Sequence, residues 1–535
     1  MALLAGLLAW TAAALAQDGP KAGAEALRAL VNALGTGGYS QTSDQISALA
    51  ATGDPSVAPV LQALADGDLY VREADGAVFI AARAGKIYRL RDPLSGQDAG
   101  EAGRKDIDKI KVNNSLRRAI RAALGALTLQ AGDPGQRLAA AQNLFKTRDP
   151  EALESLDAAL AKESDPGVRA AMAEARAALV LLAPPDLSAG LAAVATIAAR
   201  GDREALTLLK EAAAGQGEVA AAAARAAGDL SQILQVWDLG QNIWYGISLG
   251  SVLLLAAIGL SITFGVMGVI NMAHGEMVMI GAYTTFAVQE LIRTSAPWLF
   301  DYSLTFAIPL AFLISGTVGI AIERSVIRWL YGRPLETLLA TWGLSLILQQ
   351  AVRSIFGATN REVGNPSWMS GAFELGQLTI TYNRMWIIAF ALFVFALLMF
   401  VLRQTPLGLQ MRAVTQNRQM ASAMGIRTPW IDALTFGLGS GIAGIAGVAL
   451  SQIGNVSPNL GQGYIIDSFM VVVFGGVGNL WGTLVGAFSL GVANKFLEPF
   501  AGAVLGKILV LVLIILFIQR YPRGLFAQKG RAVEA

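Results

Sequence analysis

Cysteine is absent from the 535 residues, and histidine occurs once, at His274. The first absence excludes disulfides, thiolate metal sites and a cysteine nucleophile. It does not exclude a place outside the cytoplasm, which only permits disulfides. The second leaves no pair of histidines for a zinc-protease pattern. Charge is scarce too, at 15% of residues, where a soluble protein averages about 25%. The net charge of +2 is too small to argue for nucleic acid as a partner. No GxxxxGK[ST] phosphate loop occurs, so ATP hydrolysis would belong to another chain. What the chain does have is apolar surface: 54% hydrophobic residues and a mean hydropathy of +0.51, the composition of a membrane protein.

That apolar character is uneven. Residues 17–235 are Ala-rich and well charged, whereas 243–519 hold repeated apolar runs with few charges. The expected fold is all-α: a polytopic helical membrane domain, 236–535, preceded by an exported helical-repeat domain, 17–235, with a small β insert. The opening "MALLAGLLAWTAAALAQDG" has the apolar run of a signal peptide over 1–16, with Ala14-Leu15-Ala16 as the small-x-small cleavage pattern. No Lys or Arg precedes that run, so an uncleaved anchor or an upstream start stays open.

Three stretches in the first domain look alike: 53–72, 148–169 and 201–220. Each starts at an Asp suited to cap a helix, runs through a Leu-bearing helix, turns and starts again. A period of about 30–47 residues of this kind is similar to HEAT-like helical repeats. Residues 69–92, "LYVREADGAVFIAARAGKIYRLRD", break the pattern: β-branched and aromatic residues with Asp75-Gly76 and Gly85-Lys86 at turn positions predict a β meander. Residues 93–106 read as a loop. The acids and bases of this domain are spread at helix-surface spacing, as on solvated faces.

In the second domain, apolar runs fall at about 243–264, 267–292, 303–323, 335–356, 383–402, 430–451, 465–479 and 480–519. The last is long enough for two spans if divided near Pro499, and 465–479 is shorter than the about 20 residues a span needs. Basic residues cluster at Arg324, Arg328 and Arg333, at Arg403, Arg412, Arg418 and Arg427, and at Arg520, Arg523, Lys529 and Arg531. The positive-inside rule places these regions in the cytoplasm. The first domain then lies outside the cytoplasmic membrane, the C-terminus is cytoplasmic, and an odd number of crossings is required.

The run "TFGVMGVINMAHGEMVMIGAY" (263–283) carries Asn271, His274 and Glu276 within six residues. His274 and Glu276 stand at i, i+2, which on a helix do not face each other. One histidine, one carboxylate and one amide are too few for a metal site, and no nucleophile elbow is present. A polar break in a membrane helix remains. A charge at mid-bilayer costs about 2.5–3.5 kcal/mol on insertion scales, and Gly265, Gly268 and Gly275 let a helix unwind. Such breaks line solute sites in transporters; they also glue neighbouring helices together. Both readings stay open.

"GLSITFGVMGVINMAHGEMVMIGAY" resembles the signature of the permeases of branched-chain amino-acid-type ABC importers. "FGLGSGIAGIAGVAL" (436–450), "MVVVFGGVGNLWGTLVGA" (470–487) and "RYPRGLF" (520–526) are similar to its Gly-rich blocks and basic tail. Residues 333–371 and "NNSLRRAI" (113–120) resemble the urea-type members. The resemblance implies a transport subunit with no cofactor of its own. Its implied partners are a second permease, two cytoplasmic ATPase subunits and a periplasmic binding protein. For urea, a path would want uncharged acceptors and donors, and Asn271, Thr341, Gln349, Gln350 and Asn494 suit it. A zwitterionic amino acid would call for paired charges or helix termini, and Lys495 and Glu498 could serve as such a pair. A branched-chain amino acid or short-amide permease, a membrane-anchored receptor and an ATP-independent channel are the alternatives.

The loop 403–429 is basic and has no acidic residue. It is similar to the loop by which ABC permeases dock an ATPase, with Arg412, Arg418, Met424 and Gly425 as candidate contacts. An ordinary positive-inside loop would share its charge.

Overall fold

A computed structural model describes residues 19–54, 56–84 and 87–526. The predicted signal peptide, the Gly85-Lys86 turn and the basic residues Lys529 and Arg531 lie outside the described residues. The chain forms two compact units, Met1–Leu234 and Gln235–Ala535.

The first unit begins with helices α1 (Gly19–Ala33), α2 (Tyr39–Ala51) and α3 (Val57–Asp66). Five strands follow: β1 (Leu69–Arg72), β2 (Val78–Ala84), β3 (Ile87–Arg91), β4 (Asp98–Gly103) and β5 (Ile107–Lys109). They form one antiparallel sheet in the order β4-β3-β2-β1-β5. The meander expected at 69–92 is present, but 93–106 is not simply a loop. "DAGEAG" has no β-branched residue, and it becomes a strand because the open edge of β3 supplies hydrogen-bond partners from Ile87 to Arg91. The stretch 53–72 also departs from expectation: its helix is followed by β1, not by a second helix. Its Asp54 accepts the Ser56 N–H at 2.8 Å from two residues before the N-cap position and does not cap α3.

The rest of the unit is helical: α4 (Asn114–Leu129), α5 (Pro134–Thr147), α6 (Leu153–Lys162), α7 (Pro166–Leu182), α8 (Leu187–Arg200) and α9 (Arg203–Ala213). Local chemistry sets their starts. Asp133, Asp165, Asp186 and Asp202 each accept a backbone N–H of the first turn, and Pro134 and Pro166 occupy the first helical position, where a missing N–H costs nothing. Glu163 crosses between helices to pair with Arg137 at 2.7 Å. The Arg137 guanidinium, and then the Asp165 and Ser164 N–H groups, hold its carboxyl at about 2, well below the usual carboxylate range.

Helix α10 (Glu218–Met267) leads into the second unit, which continues with α11 (His274–Ser295), α12 (Ser303–Ser325), α13 (Pro334–Phe356) and α14 (Tyr382–Gln404). Two short helices, α15 (Pro406–Gln416) and α16 (Arg418–Ala423), precede α17 (Thr428–Ser451), α18 (Leu460–Gly475) and α19 (Leu480–Arg520). The span expected at 267–292 is corrected: it begins at His274, because Gly268 breaks the chain first. The long last region does divide, at Gly502 with φ 76°, just past Pro499. The segment 357–382 holds a hairpin, β6 (Ala372–Leu375) with β7 (Leu378–Thr381), that the sequence reading did not foresee.

Five described segments are long and apolar enough to cross a membrane: Glu218–Met267, Pro297–Trp329, Tyr382–Gln404, Thr428–Ser451 and Leu480–Arg520. α17 is the centre of the unit, packed on α11 and α12. Glycine lets the backbones touch. A Cβ on Gly447 would lie 2.0 Å from the Val278 carbonyl oxygen, and one on Gly281 would lie 2.0 Å from that of Gly444. Small residues at such contacts are how helices associate where lipid is the solvent.

Candidate functional site

α10 ends at Gly268, whose φ of 68° strains any residue with a side chain. The chain turns through 269–273 and restarts as α11. Asn271 shapes the turn: its Oδ1 accepts the Ala273 N–H at 3.0 Å. The polar groups of "NMAHGE" therefore stand at a helix start and not along a continuous span.

His274 and Glu276 face different neighbours, as the i, i+2 spacing required. His274 Nε2 lies 2.9 Å from the Ala256 carbonyl oxygen. A carbonyl only accepts, so Nε2 donates and Nδ1 is left as an acceptor with no partner. The ring sits where α10 and α17 meet: a Cβ on Gly259 would be 2.9 Å from His274 Cε1 and 2.3 Å from the Gly439 carbonyl oxygen. Glu276 faces α13 instead. Its Oε1 accepts the Ser345 hydroxyl at 2.9 Å and the Gln349 amide at 2.8 Å, and its Oε2 has no partner. Asn271 Nδ2 is also unpartnered. Asn271, His274 and Glu276 are each only 1% exposed, and among the described residues these three buried polar atoms, within six residues of one another, have no hydrogen-bond partner, where such groups are normally satisfied.

α13 supplies the other side. Its buried residues are Thr337, Thr341, Ser345, Gln349 and Val352, a single stripe with four polar members. Thr341 accepts the Met272 N–H at 3.1 Å. One turn past Gln349, Arg353 donates to Asn459 Oδ1. Leu335, Leu339, Ile347 and Ile355 are exposed on the rest of the helix. α13 is thus polar inside and apolar outside, suited to lipid around it and a polar seam beneath it.

The other candidates are dispersed. Gln350 is exposed on α13, away from the seam. Asn494 is buried on α19 with its amide oxygen unpartnered. Lys495 and Glu498 pair with each other at 2.5 Å. Ser345 and Arg353 were missed in the sequence reading, although the i, i+4 recurrence Thr337-Thr341-Ser345-Gln349-Arg353 was there to be read.

Two clefts adjoin these parts. One of about 370 Å³ lies between α11, α12 and α13, with Ile280, Tyr283, Leu310, Ile314, Val352 and Phe356 among its walls. Another of about 430 Å³, with Arg403, Arg412, Asn479 and Trp481 in its wall, lies beside α15 and away from Glu276.

The loop 403–429 folds as α15 and α16 joined at Asn417, which ends the first and caps the second. Arg412 donates to the Leu402 carbonyl. Arg418 forms an ion pair with the buried Asp432 of α17, and its guanidinium lies 4.4 Å from the Tyr331 ring centre. Leu409, Met420 and Met424 are exposed. Gly425 has φ 91°, and a Cβ there would meet nothing. The two arginines thus brace the loop internally, while the methionines face outward.

A multi-span helical unit with a buried polar seam within it is an architecture that suits a membrane transport protein. The family described as "Branched-chain amino acid transport system / permease component" matches residues 242–518, and the chain belongs to it. The permease protein LivH of a high-affinity branched-chain amino acid transport system in Salmonella typhimurium is 32% identical over 300 residues, 54% of this chain and 95% of LivH. BraD of Pseudomonas aeruginosa, a permease protein of a system of the same description, is 30% identical over 302 residues, 55% of this chain and 97% of BraD. The ribose import permease RbsC of Haemophilus influenzae is similar over a shorter stretch, 30% identical across 112 residues, 20% of this chain and 35% of RbsC. No solved structure matches. The chain is a transmembrane permease subunit of the branched-chain amino acid ABC transporter family.

Proposed function

We propose that the solute is a branched-chain amino acid or a close relative, and that the Glu276 corner and the α13 seam line its path. The observation that carries this reading is the buried Glu276 carboxylate with one oxygen free and only neutral donors on the other. A buried charge wants a partner of opposite sign, and an ammonium group supplies one. The names of the LivH and BraD relatives point the same way. Urea is the second reading, since Asn271, Thr341 and Gln349 offer neutral groups suited to an amide. Labelled leucine and labelled urea, offered to a deletion strain carrying this gene, separate the two. Leucine uptake that depends on the gene supports the first, and urea uptake alone overturns it.

The working assembly contains a second permease, two ATPase subunits docked on α15 and α16, and a periplasmic binding protein. The basic regions 324–333, 403–427 and 520–531 face the cytoplasm, and 17–235 is an exported helical-repeat domain after removal of 1–16. The cysteine-free sequence gives a clean test. Cysteine at Ser155 should react with an impermeant thiol reagent in intact spheroplasts; labelling only after lysis overturns the orientation.

A further inference from the structure

Four features converge on the groove between α11 and α13. Glu276 Oε2 is buried and unpartnered. Arg353 stands one helical turn, about 5.4 Å, beyond the Gln349 whose amide touches Glu276. It spends one contact on Asn459, out of the five donors a guanidinium carries. The third is the apolar cleft of about 370 Å³, within the usual range for small-molecule pockets. It begins one turn along each helix from that pair: Ile280 is i+4 from Glu276, and Val352 is i+3 from Gln349, so acid, base and cleft share the facing sides of the two helices. The fourth is Tyr283, in the cleft wall, whose buried hydroxyl has no partner. A groove meant only to seal against lipid has no use for an acid, a base and an orphaned hydroxyl in a row.

We infer that this groove holds an α-amino acid at three points: its ammonium group on the Glu276 carboxylate, its carboxylate on the Arg353 guanidinium, and its aliphatic side chain in the cleft walled by Ile280, Tyr283, Val352 and Phe356. The assignment rests on the amino-acid reading above and deepens it. It also gives the seam a second use. The Ser345 hydroxyl and Gln349 amide satisfy Glu276 Oε1 while Oε2 stays open, so the acid is held in place before the solute arrives.

The test uses the assembled importer in proteoliposomes, with L-leucine, L-alanine and urea as probes and uptake counted per assembled complex. Glu276→Gln keeps the shape and removes the charge, and should cut leucine uptake at least tenfold. Arg353→Gln should do the same, with Arg353→Lys recovering part of the loss. Thr284 and Ala287 also line the cleft; filling it by Thr284→Phe, or more gently by Ala287→Leu, should lower the leucine-to-alanine uptake ratio at least tenfold, since one methylene in an apolar pocket is worth about 10- to 200-fold in discrimination. The ratio is taken against wild type, so selectivity of the binding protein cancels. If wild type imports urea and no amino acid, the amino-acid reading falls and this inference with it. If wild type imports leucine but the cleft variants depress leucine and alanine equally, or Glu276→Gln lowers uptake only in proportion to complex yield, the three-point site alone is overturned.

Discussion

Helices α13 and α17 are nearly equal in length, at 23 and 24 residues, and are buried in opposite ways. α17 is enclosed almost all round, and its glycines let neighbouring backbones close on it. α13 buries one stripe, mostly polar, and turns its apolar side chains outward. In water the first would be an ordinary core helix and the second would be inside out. In lipid, apolar side chains gain nothing by leaving the solvent, so close packing holds the scaffold and hydrogen bonds hold the seam. A helix held by a few hydrogen bonds can part from its neighbour far more readily than one locked backbone to backbone. The difference separates the frame of the permease from the part where the solute path is proposed.

The comparison breaks most visibly at glycine. Gly447→Leu places a side chain against the Val278 carbonyl, where a Cβ alone would come within 2.0 Å. Overpacking an ordinary core costs about 1–3 kcal/mol, occasionally more, and here the obstacle is backbone. Monodisperse protein should be lost in size-exclusion chromatography. Gly343→Leu is the control on α13, where a Cβ would meet nothing within 4 Å; its yield and thermal midpoint should match wild type. Equal damage from both would erase the distinction between frame and seam.

At the seam itself, Gln349→Leu should leave the protein folded, because leucine suits a membrane helix, but it removes a donor from Glu276. An unsatisfied buried group costs about 1–3 kcal/mol, or about five- to more than a hundredfold in rate if it falls on the limiting barrier. Asn271→Leu at the helix start should act in the same direction. Uptake per assembled complex is the measurement. Loss in proportion to complex yield would mean that these residues only hold helices together.

A smaller effect is expected at the proposed motor contact. Met424 is 78% exposed, so Met424→Asp should leave the fold intact and reduce co-purification of the ATPase subunits. Gly425→Asp is a poorer probe, since its positive φ adds strain wherever it docks. Undiminished co-purification of the Met424→Asp complex would count against docking through α16.

The smallest effect belongs to the first unit, at the pairing of Glu163 with Arg137. The folded state holds Glu163 at about 2, below its unfolded value. Its contribution to stability is therefore complete above the usual carboxylate range and is lost as pH falls toward 2. The thermal midpoint of this unit in the intact chain should decline over that window, and Glu163→Gln should flatten the decline. An unchanged slope in the variant would show that other carboxylates carry the acid sensitivity.

Much of this architecture was legible in the sequence, for reasons that are local. At Asp133 and Asp165 an Asp before Pro, followed by helix-forming residues, starts a helix by its own side chain. An apolar run of span length has few other uses, and Asp75-Gly76 marks a turn by its own conformational preference. The i, i+2 spacing of His274 and Glu276 already required them to face different neighbours. The strand β4 was not legible, because "DAGEAG" has no strand character of its own and takes its pairing from β3. The hairpin β6–β7 was not legible either, because it falls between the apolar runs 335–356 and 383–402, where no alternation of span length marks it.

Composition and pattern, then, determined a membrane protein with a charged helical domain before it and a polar break at "NMAHGE"; the Gly-rich blocks pointed to a permease only through their resemblance to a family. Tertiary structure alone decided which of those polar groups meet. It turned His274 toward α10 and α17 and Glu276 toward Ser345 and Gln349 of α13, and left Gln350 exposed. The reason is geometric: helical periodicity fixes the face on which a side chain projects, but only the packing of one backbone on another fixes what that face meets.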